Sequence, residues 1–438
     1  MLQRRSTESA YDVIVVGARC AGSPLATLLA RRGLRVCLLD RAEFPSDSPS
    51  THGIQPPGVK ALARLGVLET LLEVAPAIDE GFIALNEHRV EQTGMDKILG
   101  APMVSARRVT LDTILVEAAA NAGAELRMRT TVTGLLRAGD RVVGVETTAG
   151  PLRAPLVVGA DGARSTVARL LPAPEYLRTP PRRAFLWSYF EGVAERERRV
   201  WIGNIDGNGF LASPTDGGLF LGAFVTPIQR QDELRANRAD ALEEGLRRWP
   251  ELGETLAVGR RAAPVQLMTN WHGFFRQAAG PGWALLGDAG HFKDPTPGQG
   301  ITDALQQAET LAPAIERSLD GAGDRPLRHW WRRRDRESVD MYRFARQMGE
   351  PSWAPMLNAT LSSRMATDPE LILRFLRVLG RDLPPSQMLS PTATASMIAE
   401  TLRNNPGRRR EVLRETAGLG LEEMQQGMLR AFGPRRPH

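Results

Sequence analysis

The chain has 438 residues and a formal net charge of +6, and 42% of its residues are hydrophobic and 24% charged. This composition is ordinary for a globular protein, and the length allows two or three domains with a large core. All but three of the 56 basic residues are arginines, scattered among 50 acidic residues without an aromatic-flanked basic stripe, so the charge predicts no nucleic-acid partner.

The N-terminus and the cysteines indicate the compartment. The first ten residues, MLQRRSTESA, contain no apolar stretch of the kind that a signal peptide requires, and no segment has the length of a membrane span. Cys20 and Cys37 are expected to be small apolar residues of a reduced protein. We therefore expect a cytoplasmic protein.

The first predicted unit is a strand, a helix and a second strand. YDVIVV at 11–16 is typical of a short buried parallel strand, and SPLATLLARRGL at 23–34 of a helix. RVCLLD at 35–40 is the second strand and ends in Asp40. Strand, helix and strand in this order predict a parallel βαβ unit.

The turn inside this unit, GARCAG at 17–22, has the spacing of a G-x-G-x-x-G dinucleotide turn, with Arg19 in place of the middle glycine. Asp40 follows Gly17 by 23 residues, close to the roughly 20-residue spacing at which an acidic side chain meets a ribose hydroxyl. We predict a dinucleotide site; the alternative is a βαβ unit with a tight turn and no ligand. For Arg19 we expect either a side chain that points away or, our hypothesis, an extra cation alongside the cofactor.

The next helix is predicted within VSARRVTLDTILVEAAANAG at 104–123, with Arg107 and Arg108 at its start. The helix dipole disfavours cations at this end, so two arginines there favour a bound anion. The alternative is a pair of surface arginines in an arginine-rich chain. Further along, LRAPLVVGADGARSTVARLL at 152–171 predicts a strand, a turn with Asp161 and Gly162, and a helix.

Residues from about 181 to 270 alternate apolar and polar side chains between turn signals, which predicts an antiparallel sheet. One helix is predicted to cross it at 239–252. About half of the large aromatic side chains on these strands are expected in the core and the others in a substrate pocket. The candidates are Trp187, Tyr189, Trp201, Phe210 and Phe224.

A third strand–turn–helix unit is predicted at 282–312. A strand leads into Gly287 and Asp288, then into a loop rich in proline and glycine, and then into a long amphipathic helix. From about 325 to the C-terminus the pattern is helical.

The three motifs, GxxxxG, then DGxxS, then GD followed by PxxGxG, resemble in their order and spacing the class A flavoprotein monooxygenases, the para-hydroxybenzoate hydroxylase-like superfamily. Flavin-dependent halogenases and geranylgeranyl reductases are related to it. The resemblance covers about residues 11–320. It implies an α/β fold: a Rossmann-like FAD-binding domain with an inserted antiparallel β-sheet substrate domain and a helical C-terminal region.

The resemblance also implies domain boundaries. The FAD-binding domain is expected in three parts, 8–85, 104–180 and 271–345, with a joining strand segment at 86–103, the substrate domain at 181–270 and the C-terminal helical region at 346–438.

FAD is the cofactor that the resemblance implies, with NAD(P)H as a transient reductant and O₂. The turn would hold the diphosphate, Asp40 and Arg41 the adenosine ribose, and Asp288 the ribityl hydroxyls, while the helix after the third loop would direct its positive end to the flavin ring. The implied cofactor residues are Gly17, Arg19, Cys20, Ala21, Gly22, Asp40, Arg41, Arg107, Arg108, Asp161, Gly162, Gly287, Asp288, Pro295, Gly298, Gln299, Gly300 and Ile301.

Three side chains are candidates for proton transfer near the flavin: His52, His291 and Lys293. Each could equally be a packed, hydrogen-bonded residue. No set of metal ligands or of paired cysteines is predicted.

The implied reaction is monooxygenation: NAD(P)H reduces FAD, and a flavin C4a-hydroperoxide passes one oxygen atom to a small aromatic or polyketide-like substrate. The alternatives are a reductase of the geranylgeranyl reductase type, a halogenase-like flavoenzyme and a flavin-fold binder without activity. LWSYFEG, the nearest approach to the W-x-W-x-I-P element of halogenases, does not match it. A homodimer is a possible assembly.

Overall fold

The computed structural model describes residues 10–48, 50, 52–193, 198–350 and 354–433. Residue 8, the first predicted domain boundary, lies outside the described residues. The described strands are β1 (Val13–Val16), β2 (Val36–Leu39), β3 (Gly53–Ile54), β4 (Ala77–Ile78), β5 (Glu80–Leu85), β6 (His88–Gln92), β7 (Met103–Ser105), β8 (Glu125–Arg127), β9 (Val132–Ala138), β10 (Arg141–Thr147), β11 (Leu152–Arg153), β12 (Leu156–Gly159), β13 (Glu175–Thr179), β14 (Arg183–Glu191), β15 (Arg199–Ile205), β16 (Asn208–Pro214), β17 (Phe220–Pro227), β18 (Arg260–Arg261), β19 (Gln266–Met268), β20 (Gly273–Arg276), β21 (Ala279–Gly280), β22 (Trp283–Leu285) and β23 (His291–Phe292).

The described α-helices are α1 (Gly22–Ala30), α2 (Pro56–Leu65), α3 (Leu68–Leu72), α4 (Met95–Leu99), α5 (Arg108–Asn121), α6 (Thr166–Leu170), α7 (Gln231–Ala236), α8 (Arg238–Arg247), α9 (Pro250–Ala257), α10 (Gly300–Arg317), α11 (Arg325–Met348), α12 (Pro355–Thr367), α13 (Pro369–Leu379), α14 (Pro391–Asn404) and α15 (Arg409–Phe432). None of the helices in the described ranges is long and apolar enough to cross a membrane.

A six-stranded sheet in the order β21-β22-β12-β1-β2-β8 carries the predicted motifs. The five strands from β22 to β8 are parallel, and β1, at the centre of these five, reads VIVV and is buried throughout. The dinucleotide turn follows β1, Asp40 follows β2, the DG motif follows β12 and the GD motif follows β22. In an open parallel sheet, ligands bind at the carboxyl ends of the strands, so the topology gathers all the motifs at one edge.

An eight-stranded, mostly antiparallel sheet lies beside it, in the order β18-β14-β17-β16-β15-β5-β6 with β19 paired to β14. It confirms the predicted antiparallel sheet. It also includes β5 and β6, residues 80–92, which the predicted boundaries divide between the FAD-binding domain and the joining segment. The boundaries themselves stay a prediction.

The helix predicted at 239–252 is wrong as a single helix. The chain forms α8 and α9 instead, because Trp249, between them, adopts an extended conformation before Pro250. A proline disfavours the helical conformation of the residue before it, so Pro250 starts a new helix at its first position.

Four helices, α12 to α15, make up the C-terminal region. Together with α11 they cover one face of the large sheet, where Ile83, Leu85 and Val200 share an apolar cluster with Met365 and Leu376. The predicted fold class, a Rossmann-like FAD-binding domain with an antiparallel sheet and a helical C-terminal region, is confirmed.

Candidate active site

The two glycines of the dinucleotide turn are required by close packing. Gly17 has a φ of +103°, and a Cβ there would lie 2.6 Å from the carbonyl oxygen of Ala160. A Cβ at Gly22 would overlap the carbonyl oxygen of Gly17. Helix α1 begins at Gly22 without a side-chain cap; its Ser23 N–H donates to the Arg19 carbonyl at 3.0 Å and Pro24 has no N–H, which leaves the Gly22 N–H for a ligand. The turn therefore has the backbone geometry and the dipole that bind a diphosphate.

Asp40 braces this turn. Its Oδ2 accepts a hydrogen bond from the Ala18 backbone N–H at 2.8 Å, and its Oδ1 accepts one from the Ala42 N–H at 2.8 Å. Each carboxylate oxygen has a second lone pair, so a ribose hydroxyl can still donate to Asp40. The neighbouring Arg41 is exposed.

The side chain of Arg19 extends from the dinucleotide turn toward α5. Its Nη1 donates to Asp112 Oδ2 at 2.8 Å, and its guanidinium lies 5.4 Å from the centre of the Phe44 ring. Arg108 donates to both oxygens of the same fully buried carboxylate at 2.9 Å. Arg19 and Arg108 thus share one counter-ion, and the hypothesis that Arg19 is an extra cation alongside the cofactor stays a prediction.

Arg107 also faces a carboxylate of the chain. Asp216 accepts the Arg107 backbone N–H at 2.6 Å, its Nε–H at 2.9 Å and the Thr110 hydroxyl at 2.5 Å. Asp216, in the turn between β16 and β17, therefore joins the start of α5 to the large sheet. Each helix-start arginine thus has a protein carboxylate, Asp216 or Asp112, and the expectation that both also face a bound anion stays a prediction.

Sequence reasoning missed both carboxylates. Asp112 lies four residues after Arg108 on α5, a spacing at which opposite charges meet, so this pair could have been found. Asp216 lies 109 residues from Arg107, and no local signal connects them.

The DG motif lies at the N-terminal end of helix α6. Asp161 accepts hydrogen bonds from the Ser165 hydroxyl at 2.5 Å and from the Thr166 N–H at 2.7 Å, which caps α6. Gly162 has a φ of +79°, a conformation that favours glycine. The carboxylate of Asp161 is thus engaged within its own motif.

Asp288 is half-buried, and no described residue donates a hydrogen bond to its carboxylate. Burial raises its pKa to about 6, and the nearby charges of Arg108 and Lys293 oppose this rise. Gly287 packs against Ala21, since a Cβ on Gly287 would lie 3.1 Å from that methyl group, so the motif adjoins the dinucleotide turn. A desolvated carboxylate with no protein donor fits a ligand that brings hydroxyl groups.

The loop before α10 presents backbone rather than side chains. Gly298 has a φ of +63°, and a Cβ on Gly300 would meet no atom within 4 Å. Helix α10 begins here without a side-chain cap. Gln299 is turned away, with its Nε2 donating to the Leu379 carbonyl at 2.8 Å, and Ile301 is buried in an apolar cluster. Together with the turn and Asp288, this open helix start fits FAD.

Cys20, in the dinucleotide turn, is half-buried, and burial raises the pKa of its thiol to about 11. A thiol with this pKa stays protonated at neutral pH, so its place in the site is that of a small neutral side chain.

The three proton-transfer candidates occupy different environments. His52 lines a cavity between the large sheet and the C-terminal helices, which is described below. Its Nε2 is hydrogen-bonded to the Tyr189 hydroxyl. His291 is buried, with its ring centre 4.4 Å from that of Phe275 and its Nε2 without a partner in the described chain. Lys293 is buried and donates to Asp303 Oδ2 at 2.5 Å. Of the three, only His52 is among the residues that line this cavity.

The main cavity, of about 980 Å³, lies between the large sheet and the C-terminal helices. At one end it reaches His52, Pro295 and Gly298, beside the loop that precedes α10. Most of its wall is apolar, from Phe185 on the sheet to Leu419 on α15. This volume is at the upper end of the roughly 300–1,000 Å³ of small-molecule pockets.

The predicted substrate residues divide between the cavity and the core. Trp187 lines the cavity. Phe210 borders it as well, but its ring centre lies 5.6 Å from that of Phe224 and 5.9 Å from that of Trp249, in a buried cluster on the other face of the sheet. Trp201 and Phe224 belong to that cluster and do not line the cavity, so the prediction for these two is corrected to core. Tyr189 reaches the site through His52.

No group of three or more potential metal-ligating side chains occurs in the part of the chain that the structure describes.

Comparison with known proteins gives the same fold and cofactor. The family described as "FAD binding domain" matches residues 10–343. Rifampicin monooxygenase of Streptomyces venezuelae is 28% identical over 71% of the chain and 65% of its own length. 6-Methylpretetramide 4-monooxygenase of Streptomyces rimosus and menaquinone reductase of Mycolicibacterium smegmatis are each 29% identical over 69% of the chain and 75% of theirs.

Among solved structures, the flavin-dependent brominase Bmp2 superposes with a TM-score of 0.73 over 90% of the chain and 99% of the brominase, at 19% identity. At this identity the likeness concerns the fold.

Proposed function

Because the chain belongs to the FAD-binding domain family, we propose that it is an FAD-dependent monooxygenase that consumes NAD(P)H and inserts one oxygen atom of O₂ into an organic substrate. The observation that carries this proposal is the apolar cavity of about 980 Å³ that ends beside the loop before α10. A large, mostly apolar molecule such as an aromatic polyketide fits this space. Two of its relatives are named as monooxygenases.

In this proposal the dinucleotide turn from Gly17 to Gly22 holds the diphosphate, Asp40 the ribose and Asp288 the ribityl chain. Bound FAD supplies electron transfer from NAD(P)H and the activation of O₂. The uncapped start of α10 directs partial positive charge toward the ring, which favours its reduced, anionic form. The apolar wall of the cavity excludes water from the reacting atoms.

In this proposal His52 and Tyr189 accept the proton of a substrate hydroxyl. Burial is the main reason that the pKa of His52 is lowered to about 4, and burial also raises that of Tyr189, so both are neutral at pH 7. The Tyr189 hydroxyl then donates to His52 Nε2, so the neutral ring carries its own proton on Nδ1. A proton from a substrate hydroxyl passes to the Tyr189 oxygen as the Tyr189 proton moves to His52 Nε2.

The experiment uses the purified protein reconstituted with FAD. NADH and NADPH consumption is followed with and without O₂, in the presence of aromatic polyketides including rifampicin, and products are analysed by mass spectrometry under ¹⁸O₂. A monooxygenase consumes O₂ and gives a product that contains one ¹⁸O atom. Asp288→Ala should lose FAD and activity, whereas Asp320→Ala, at an exposed acidic residue, should keep both.

A reductase is the second candidate, because menaquinone reductase is among the relatives and the cavity extends far along the C-terminal helices. In the same assay, a reductase gives oxygen-independent NAD(P)H consumption and a product heavier by two hydrogen atoms. A protein that cannot be reconstituted with FAD would overturn both candidates.

A further inference from the structure

Arg183, the first residue of β14, is a buried cation on the wall of the cavity. Its residue exposure is 1%, and it is among the residues that line the cavity. Its Nε donates to the Gly349 carbonyl at 3.2 Å. Its Nη2 is buried without a hydrogen-bond partner in the described chain. A buried guanidinium with an unused donor is costly unless a ligand satisfies it.

The surrounding residues leave space for this guanidinium but give it no counter-ion. A Cβ on Gly209 would lie 2.7 Å from Arg183 Nη1, so glycine at this position makes room for the cation. Asp294 exerts a favourable charge effect on Arg183, but its Oδ1 accepts two hydrogen bonds from Thr296, and the described residues include no ion pair of Arg183.

The other charged groups of the wall are paired. Glu350 lies 3.8 Å from Arg182, Glu422 accepts from Arg346 at 2.6 Å, and Glu423 accepts from Arg430 at 2.5 Å. Burial and nearby arginines lower the pKa of His52 to about 4, so its imidazole is neutral. Among the described residues that line the cavity, Arg183 is therefore the charge without an ion-pair partner.

We propose that Arg183 binds the carboxylate of an elongated ligand whose remaining atoms are apolar and fill the cavity. The terminal nitrogens of a guanidinium lie in one plane and match the two oxygens of a carboxylate. Phe185, Leu211, Met365 and Met388 supply apolar wall for the rest of the molecule. That this ligand is the substrate rests on the proposed function; the binding of the carboxylate does not.

The test is calorimetric titration of the oxidised, FAD-loaded protein with 1-pyrenebutyric acid and with 1-pyrenebutanol, which share their apolar part. The unsubstituted protein should bind the acid about tenfold or more tightly than the alcohol, as a charge-assisted hydrogen bond requires. Arg183→Met should abolish this preference with the affinity for the alcohol retained, and Arg183→Lys should keep part of it.

Arg238→Met is the control, because it removes the same charge at an exposed position outside the cavity lining; the preference should persist. Gly209→Ala provides a second route, since its methyl group displaces the guanidinium and should weaken binding of the acid alone. Equal affinity for acid and alcohol in the unsubstituted protein, or a preference that survives both Arg183→Met and Gly209→Ala, would overturn the proposal.

A structural role for Arg183 gives a different result. If the cation serves a ligand, the FAD-loaded, ligand-free Arg183→Met protein should melt at the same or a higher temperature than the unsubstituted protein, because it no longer buries an unpaired charge. A lower melting temperature together with unchanged preference would overturn the proposal. Since no turnover is measured, absence of an oxygenated product in the monooxygenase assay leaves this result unaffected.

Discussion

At the scale of single residues, the site contains an ionisable side chain, Asp288, that lowers the stability of the folded chain. Asp288 is desolvated without a protein donor, and burial raises its pKa to about 6. A carboxyl group whose pKa is higher in the folded than in the unfolded chain opposes folding when it is ionised. This opposition is complete above pH 6 and absent below the ordinary pKa of 3.8. FAD is the ligand that can offset it.

Asp288→Asn should therefore have opposite effects on stability and on cofactor binding. At pH 8, the FAD-free variant should gain on the order of 2 kcal/mol in free energy of unfolding, and this gain should shrink toward pH 4. Its FAD affinity should fall, because in the proposed function the ionised Asp288 accepts hydrogen bonds from the ribityl hydroxyls. Urea unfolding at the two pH values and FAD titration measure both. Asp320→Asn, at an exposed site, should change neither, and unchanged FAD affinity in Asp288→Asn would remove Asp288 from the site.

His52 permits a separate test of proton transfer. His52→Ala should slow product formation by about 100-fold, in the range of general acid–base catalysis, while FAD occupancy stays unchanged. Since the pKa of His52 is about 4, its titration should not appear in the activity profile between pH 6 and 9. His329→Ala, an exposed histidine on α11, is the control. Loss of FAD in the His52 variant would indicate a structural role instead.

At the scale of elements, the strand–turn–helix units could be predicted because their signals are local. The apolar strand at 13–16 and the glycine spacing that follows it are adjacent in sequence. The contact between Arg107 and Asp216 joins the start of α5 to the turn between β16 and β17, 109 residues apart, and no local sequence pattern predicts such a contact. Two aromatic residues, Trp201 and Phe224, were predicted as pocket residues but lie in the core, because strand alternation does not show which face of the sheet is covered by α8 and α9.

Asp216 tests how the large sheet holds the start of α5. Asp216→Ala should lower the free energy of unfolding by about 2 kcal/mol, because it leaves the half-buried Arg107 N–H and guanidinium without their acceptor. Asp232→Ala, which breaks the exposed pair with Arg235, should change it by less than about 0.5 kcal/mol. Chemical unfolding of both variants gives the comparison. Equal effects would show that Asp216 contributes no more than a surface pair.

At the scale of the whole molecule, three parts of the chain meet at one cavity. The loop before α10 reaches one end of it, the large sheet supplies one wall, and α12 to α15 supply the other. The C-terminal helices were predicted as helical from composition, but their place over the sheet was not, because an apolar helix face does not specify its partner. In the proposed function these helices therefore form part of the wall of the substrate cavity.

This position has a consequence for coupling between NAD(P)H consumption and product formation. Leu419, on α15, lines the cavity, whereas Leu413 on the same helix is exposed. Leu419→Arg should draw water into the cavity. NAD(P)H should then still be consumed, but about tenfold less oxygen should be inserted into the substrate and more hydrogen peroxide should form. The reason is that a site without water suppresses the release of hydrogen peroxide. The ratio of hydrogen peroxide to NAD(P)H measures the effect. Leu413→Arg should leave the ratio unchanged; the same ratio in both variants would mean that α15 does not seal the site.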